Sequence, residues 1–231
     1  MMDLTPTHAT PSRPNVIRRR WDGPLAGEQL ARAHREGIRL AYDPAQNGWV
    51  PVTAPDGDDD PDVPLRASQP PLLLRPWRAQ DLDQYHALLD DPALWRYMVE
   101  EMPCPFTREV AADLIAISNL GAHHEVRAIA TPHVAAGQVR IVWISPQLAH
   151  GDAEISYWLG RPFRGQGLAT QAVRHMVRDA LRSRPGLRRI VAYVHPENAA
   201  SARVLERAGF VPAADRASDG WRGFAVTLPT R

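Results

Sequence analysis

Arg164-Gly165-Gln166-Gly167-Leu168-Ala169 is the stretch on which the fold turns. Before it, Ala153–Leu159 sets Ile155, Tyr157 and Leu159 against Glu154, Ser156 and Trp158, the period of a strand. After it, Leu168, Ala172, Val173, Met176, Val177, Ala180 and Leu181 form one apolar stripe with the period of a helix. Two glycines let a backbone come close to a ligand. A helix that begins there offers unpaired N–H groups and the positive end of its dipole. The arrangement suits a pyrophosphate, although a plain tight turn uses the same residues. A dinucleotide fingerprint needs a third glycine and an acidic residue about 20 positions on. Here Thr170 stands third and the later segment is Arg-rich. A P-loop needs Lys, and all 27 basic residues are Arg. The same absence excludes a Schiff-base lysine.

Working outward, Arg189–Val194 is a short continuous apolar run, expected to be a strand. His195-Pro196-Glu197-Asn198-Ala199-Ala200-Ser201 follows it. Asn198 is a good N-cap, Ser201 lies in the first turn of the ensuing helix, and Gly209 stops that helix. Capping alone would account for Asn198 and Ser201. Upstream, Leu72–Trp77 predicts a strand. Ala79-Gln80-Asp81 opens a helix that ends before Pro92, and a second helix covers about 107–118. Val126–Thr131 and Val139–Ser145 predict strands, and Phe210–Val211 with Phe224–Leu228 predict a closing hairpin. Strands first pair as a meander and then alternate with helices, so the class is mixed α/β.

The chain has 231 residues, 44% hydrophobic and 23% charged, enough to bury a full core without staples. Residues 1–14 have no periodicity and are expected to be disordered. A short helix is expected near 27–37. Ile38–Asp43 and Trp49–Thr53 flank Asn47-Gly48 as a hairpin. Asp56-Gly57-Asp58-Asp59-Asp60-Pro61-Asp62 lacks the spacing and terminal Glu of a calcium loop and is expected to be a solvated linker. We therefore divide the chain into an N-terminal extension, 1–69, and a domain at 70–231. The hairpin is expected to pack on that domain, or on a second subunit in a homodimer. The single Cys104 forms no internal disulfide, and no Cys/His cluster has zinc spacing. No apolar run is long enough to span a membrane, and the residues after Arg18-Arg19-Arg20 form no apolar signal core, so a cytoplasmic location is expected. A net charge of +1 argues against nucleic acid as a partner of the whole chain.

The Gly loop, the run Glu154–Leu159 before it, Asn198-x-x-Ser201 and Gly209-Phe210 together resemble the GNAT superfamily of N-acetyltransferases, specifically its RimJ/RimL-like branch. The resemblance covers about residues 72–228. It implies a mixed, mostly antiparallel sheet flanked by helices, with acetyl-CoA as cosubstrate and no metal. It implies direct attack of a primary amine on the thioester. Trp158 and Leu159 would end a strand that splays from its neighbour and pairs with the pantetheine arm. A backbone N–H there would polarise the thioester carbonyl. Arg164, Gly165, Gln166, Gly167, Leu168, Ala169 and Thr170 would form the pyrophosphate loop, and Asn198 would contact the pantetheine arm.

Two proton roles remain. An ammonium must lose a proton before it attacks, and the departing thiolate wants one. Glu154 is the candidate base, although a strand carboxylate can equally be structural. Many GNAT enzymes place a Tyr where this chain has Leu205. In the Rim-like branch a Ser at the position of Ser201 can take that role, so the resemblance makes Ser201 the candidate acid, ahead of Tyr157, which is expected in the core. The acceptor is expected to meet the 92–108 segment and the 212–224 loop, with Trp95, Tyr97, Met98 and Phe106 lining its site and Glu100, Glu101, Asp215 and Asp219 attracting its charge. It is a small-molecule amine or a protein N-terminus. Arg174, Arg178 and Arg182 form a solvated face, a CoA-attracting face or a contact for an acidic or RNA-containing partner. His123, His124 and His133 suggest a metal by composition only. The rival to an enzyme is a non-catalytic acyl-CoA-binding or interaction module with the same fold.

Overall fold

Alternating burial along the strands sets the architecture in the computed structural model, which describes residues 29, 40–43, 48–51, 72–121, 123–131, 134–145, 148–214 and 220–227. The expected helix near 27–37 falls almost wholly outside them, as do the linker, His133, Asp215 and Asp219. Two strands, β1 (Leu40–Asp43) and β2 (Gly48–Pro51), pair antiparallel as the expected hairpin. β1 lies against a 3-10 turn at Arg161–Phe163.

Seven further strands form one sheet: β3 (Leu73–Arg75), β4 (His124–Ala130), β5 (Ala135–Val142), β6 (Asp152–Leu159), β7 (Arg189–Val194), β8 (Val211–Ala213) and β9 (Arg222–Thr227). Their spatial order is β3-β4-β5-β6-β7-β9-β8. Every pairing is antiparallel except β6 with β7, as the mixed α/β reading expects.

Helices cover both faces. Leu82–Leu89 (α1), Pro92–Trp95 (α2) and Arg108–Leu120 (α3) pack Tyr85, Leu89, Leu94, Ala111 and Ile115 with Trp77, Val126, Ala128 and Ala130. Leu168–Ser183 (α4) and Ala199–Ala208 (α5) pack the predicted stripe of α4, with Ala202 and Leu205, on Val139, Ile141, Ile155, Ile190 and Ala192. Local chemistry marks the ends. Thr107 Oγ1 caps α3 through the Val110 N–H, and Gly121 and Gly209 close α3 and α5 with left-handed backbone.

The helix Pro92–Trp95 was not expected, and three of the expected elements differ in ways that local chemistry or strand pairing explains. β3 is three residues long, because Pro76 has no N–H and Trp77 turns into the core to donate to Gln138 Oε1 at 2.8 Å. The stretch expected as one helix from Ala79 begins as a 3-10 turn, Ala79–Asp81. There Asp81 takes two hydrogen bonds from Arg75 and one from the Arg78 N–H. β5 starts at Ala135 rather than Val139 and ends at Val142. Its small residues Ala135, Ala136 and Gly137 carry little strand propensity, but tertiary pairing overrides that. Gly137 is needed because a Cβ there would lie 2.1 Å from the Trp158 carbonyl oxygen. Among the described residues, no helix is long and apolar enough to cross a membrane.

Candidate active site

β6 pairs with β5 from Glu154 to Leu159, but with β7 only over Asp152–Glu154. β7 in turn pairs with β9 along its whole length. The sheet thus opens between two well-paired halves, and beyond Glu154 the edge of β6 no longer meets β7. A strand edge without a neighbour is an open row of backbone donors and acceptors.

The Gly loop lies at the end of that opening. Gly165 and Gly167 have φ of +78° and +75°, a region that glycine enters without strain. No side chain caps α4, whose first ladder bond runs from the Gln171 N–H to the Gly167 carbonyl. The loop is tied back to the strand: Arg164 Nε donates to the Leu159 carbonyl at 3.0 Å, and Gln166 Nε2 to the Pro162 carbonyl at 3.2 Å. Arg161 reaches the buried Asp91 at 3.1 Å, and Asp91 Oδ1 also accepts from the Ala93 N–H at the start of α2. An uncapped helix start behind two left-handed glycines fits a diphosphate, and the open β6 edge fits an amide-bearing arm.

One cleft of about 670 Å³ is lined by Glu154, Tyr157, Trp158, Asn198 and Ser201 together. Strand alternation places Glu154, Ser156 and Trp158 on one face of β6 and Tyr157 on the other. Trp158 stacks on Trp77 with centroids 6.2 Å apart and meets Tyr85 edge-on. Glu154 lies two residues before Ser156 on that face. On the opposite face, Asn198 Oδ1 caps α5 by accepting from the Ser201 N–H at 3.1 Å. Capping and cleft-lining therefore coexist at Asn198. Ser201 Oγ lies 2.8 Å from the Tyr157 hydroxyl, which also donates to the Ser201 carbonyl at 2.9 Å. Burial pushes the Tyr157 hydroxyl well above the ordinary tyrosine range, so it stays protonated. Leu205 is fully buried one turn beyond Ser201, on the same helix face.

On the Glu154 side, Trp95, Tyr97, Met98, Glu100 and Glu101 line the cleft as expected. Phe106 does not: it is buried and stacks flat on His86 at 5.3 Å, because that part of the 92–108 segment folds inward ahead of α3. Sequence reasoning missed Arg140 and His195, and it named the loop 212–224 without singling out Trp221 within it. Arg140 Nε donates to Ser156 Oγ at 3.2 Å, and Glu100 lies 3.6 Å from its guanidinium. The His195 ring contacts Tyr97 and Trp221 at 5.3 and 5.6 Å, which brings three chain segments to one cleft wall. The strand register sets Arg140 opposite Ser156, a pairing with no local trace in the sequence, and His195 carried no signal either. Among the described residues no group of three His, Cys, Asp or Glu side chains could hold a metal. His124 instead uses Nε2 on the Ile117 carbonyl. The Arg174, Arg178 and Arg182 face is exposed, with Arg174 bonded to the Arg207 carbonyl.

A sheet opened between parallel neighbours, with a glycine loop at its mouth, brings a diphosphate-sized helix start and an open strand edge to one cleft. The family model for the acetyltransferase (GNAT) domain matches residues 71–211, and the chain belongs to that family. No curated protein matches the sequence. Solved structures share the fold. The microcin self-immunity acetyltransferase MccE, in complex with acetyl-CoA and AMP, has TM-score 0.57 and 18% identity over 68% of this chain and 92% of its own. RimL, a ribosomal alpha-N-protein acetyltransferase in complex with coenzyme A, has TM-score 0.57 and 22% identity over 69% and 96%. Spermidine N-acetyltransferase from Vibrio cholerae, in complex with CoA and spermine, has TM-score 0.56 and 18% identity over 69% and 96%.

Proposed function

We propose that this chain transfers the acetyl group of acetyl-CoA to a primary amine by direct attack across the opening between β6 and β7. The observation that carries the reading is one cleft reaching both faces of β6, with Glu154 on one side and Ser201 on the other. Backbone N–H groups from Gly165 to Thr170 hold the diphosphate, and the β6 edge near Trp158 and Leu159 aligns the arm. Bound acetyl-CoA supplies the activated thioester. Glu154 takes the proton from the incoming ammonium, directly or through water. A β6 backbone N–H polarises the carbonyl. Ser201 delivers its Oγ proton toward the departing sulfur and regains one from water.

The acceptor is a cationic amine, either small or at a protein N-terminus. The described cleft walls carry Glu100, Glu101 and Glu154 against the single guanidinium of Arg140. The Rim-like branch assignment is part of this proposal, as are a cytoplasmic location and the accessory role of residues 1–69. The test is thiol release from acetyl-CoA over a panel of amines and peptides. Amine-dependent release supports the transferase. Tight CoA binding without release under any acceptor favours the non-catalytic module.

A further inference from the structure

Tyr157 offers one proton and meets two oxygens of one residue. The Ser201 carbonyl is an acceptor only, so the bond at 2.9 Å takes the phenol proton. With both bonds formed at once, the bond at 2.8 Å runs from Ser201 Oγ–H to the phenol oxygen. In this resting arrangement the serine proton points at Tyr157 rather than into the cleft. When Ser201 turns its proton toward a sulfur, the phenol proton can swing from the carbonyl to Oγ, since both oxygens lie within hydrogen-bond reach. We propose that Tyr157 is a positioning residue that switches between the Ser201 carbonyl and Ser201 Oγ, and so supports Oγ while it gives up its proton.

The inference rests on the reading of Ser201 as the acid. Chemically, a hydroxyl that accepts a hydrogen bond becomes a stronger donor. Tyr157 retains its own proton, because burial holds the hydroxyl protonated. Ser201 Oγ loses one proton to the sulfur and regains one from water, so the phenol donates a hydrogen bond and no charge remains on it. Tyr157 comes from β6 and Ser201 from α5, on the face of β6 opposite Glu154. The pair therefore also sets the distance between the strand edge and the helix that carries the acid.

The test compares Tyr157→Phe, Ser201→Ala and the double variant in the full chain. Phe keeps the ring and its packing and removes only the hydroxyl. A hydrogen bond to a developing charge is worth about ten- to a hundredfold in rate. Tyr157→Phe should lower kcat by about that factor while KM for acetyl-CoA moves less than about twofold. A second readout uses bound CoA alone: ultraviolet titration of its thiol should give a higher pKa in Tyr157→Phe and in Ser201→Ala than in wild type. In the double variant Tyr157→Phe should add nothing, because its effect passes through Oγ. Equal effects of Tyr157→Phe with and without Ser201 would overturn the switching role and leave Ser201 as acid. An unchanged kcat and thiol pKa in Ser201→Ala would overturn the acid itself, and the switch with it.

Discussion

Glu154 and Val191 are the last residues at which β6 and β7 face each other. From that pair onward the two strands belong to separate halves of the sheet. A carboxylate at the apex of an opening stands where an amine and a thioester would meet. Glu154→Gln keeps the shape and removes the base. Activity at neutral pH should fall on the order of a hundredfold, and the acidic limb of the pH–rate profile should disappear. A profile with the wild-type shape would assign Glu154 a structural role in the strand.

Gly167 ends the loop in left-handed backbone immediately before α4. Asp tolerates that conformation better than most side chains and is itself a good N-cap, so Gly167→Asp should fold. Its carboxylate would occupy the positive end of the helix in place of the diphosphate. Calorimetry should show CoA affinity reduced on the order of tenfold or more. Unchanged affinity in the folded variant would move the diphosphate elsewhere.

The loop, its helix and β7 were legible because their information is local: two glycines, one apolar stripe, one continuous apolar run. β7 lies at the expected Arg189–Val194, and Asn198 caps α5 as expected. The opening itself carries no local trace. Ile155 and Tyr157 alternate with Glu154 and Ser156 whether or not a neighbour pairs with them, so only the register shows where β7 departs. Phe106 was misplaced for a related reason: an aromatic in an irregular segment has no period to say which way it faces. The contacts of His195 with Tyr97 and Trp221 join residues far apart in the chain.

Burial raises the hydroxyl pKa of both Tyr85 and Tyr157. In the unfolded chain each titrates near pH 10. Above that pH the unfolded state binds fewer protons than the folded state, so unfolding free energy falls as pH rises. Denaturant melts should show stability constant up to about pH 9 and declining above about pH 10. Tyr157→Phe should reduce the slope of that decline. A slope equal to wild type would mean that Tyr157 ionises in the folded protein as it does in the unfolded chain.

β1 lies against the turn Arg161–Phe163 that leads into the Gly loop, yet the loop, β6 and α5 all lie after residue 150. A chain beginning at Ser68 should bind acetyl-CoA with near-normal affinity and melt at a lower temperature. Loss of binding in the folded shorter chain would make the N-terminal segment part of the cofactor site. Unchanged melting, assembly state and acceptor kinetics would make it a passive tail.

In the proposed reaction, amine and thioester meet while both are bound, one on each side of the β6–β7 opening. Initial velocities with acetyl-CoA and an active amine varied together probe that step. Direct attack should give intersecting double-reciprocal lines and leave no acetyl group on the protein when acetyl-CoA is added alone. Parallel lines, with an acetyl group recovered on Cys104 or another side chain, would mean a covalent relay and would rule direct attack out.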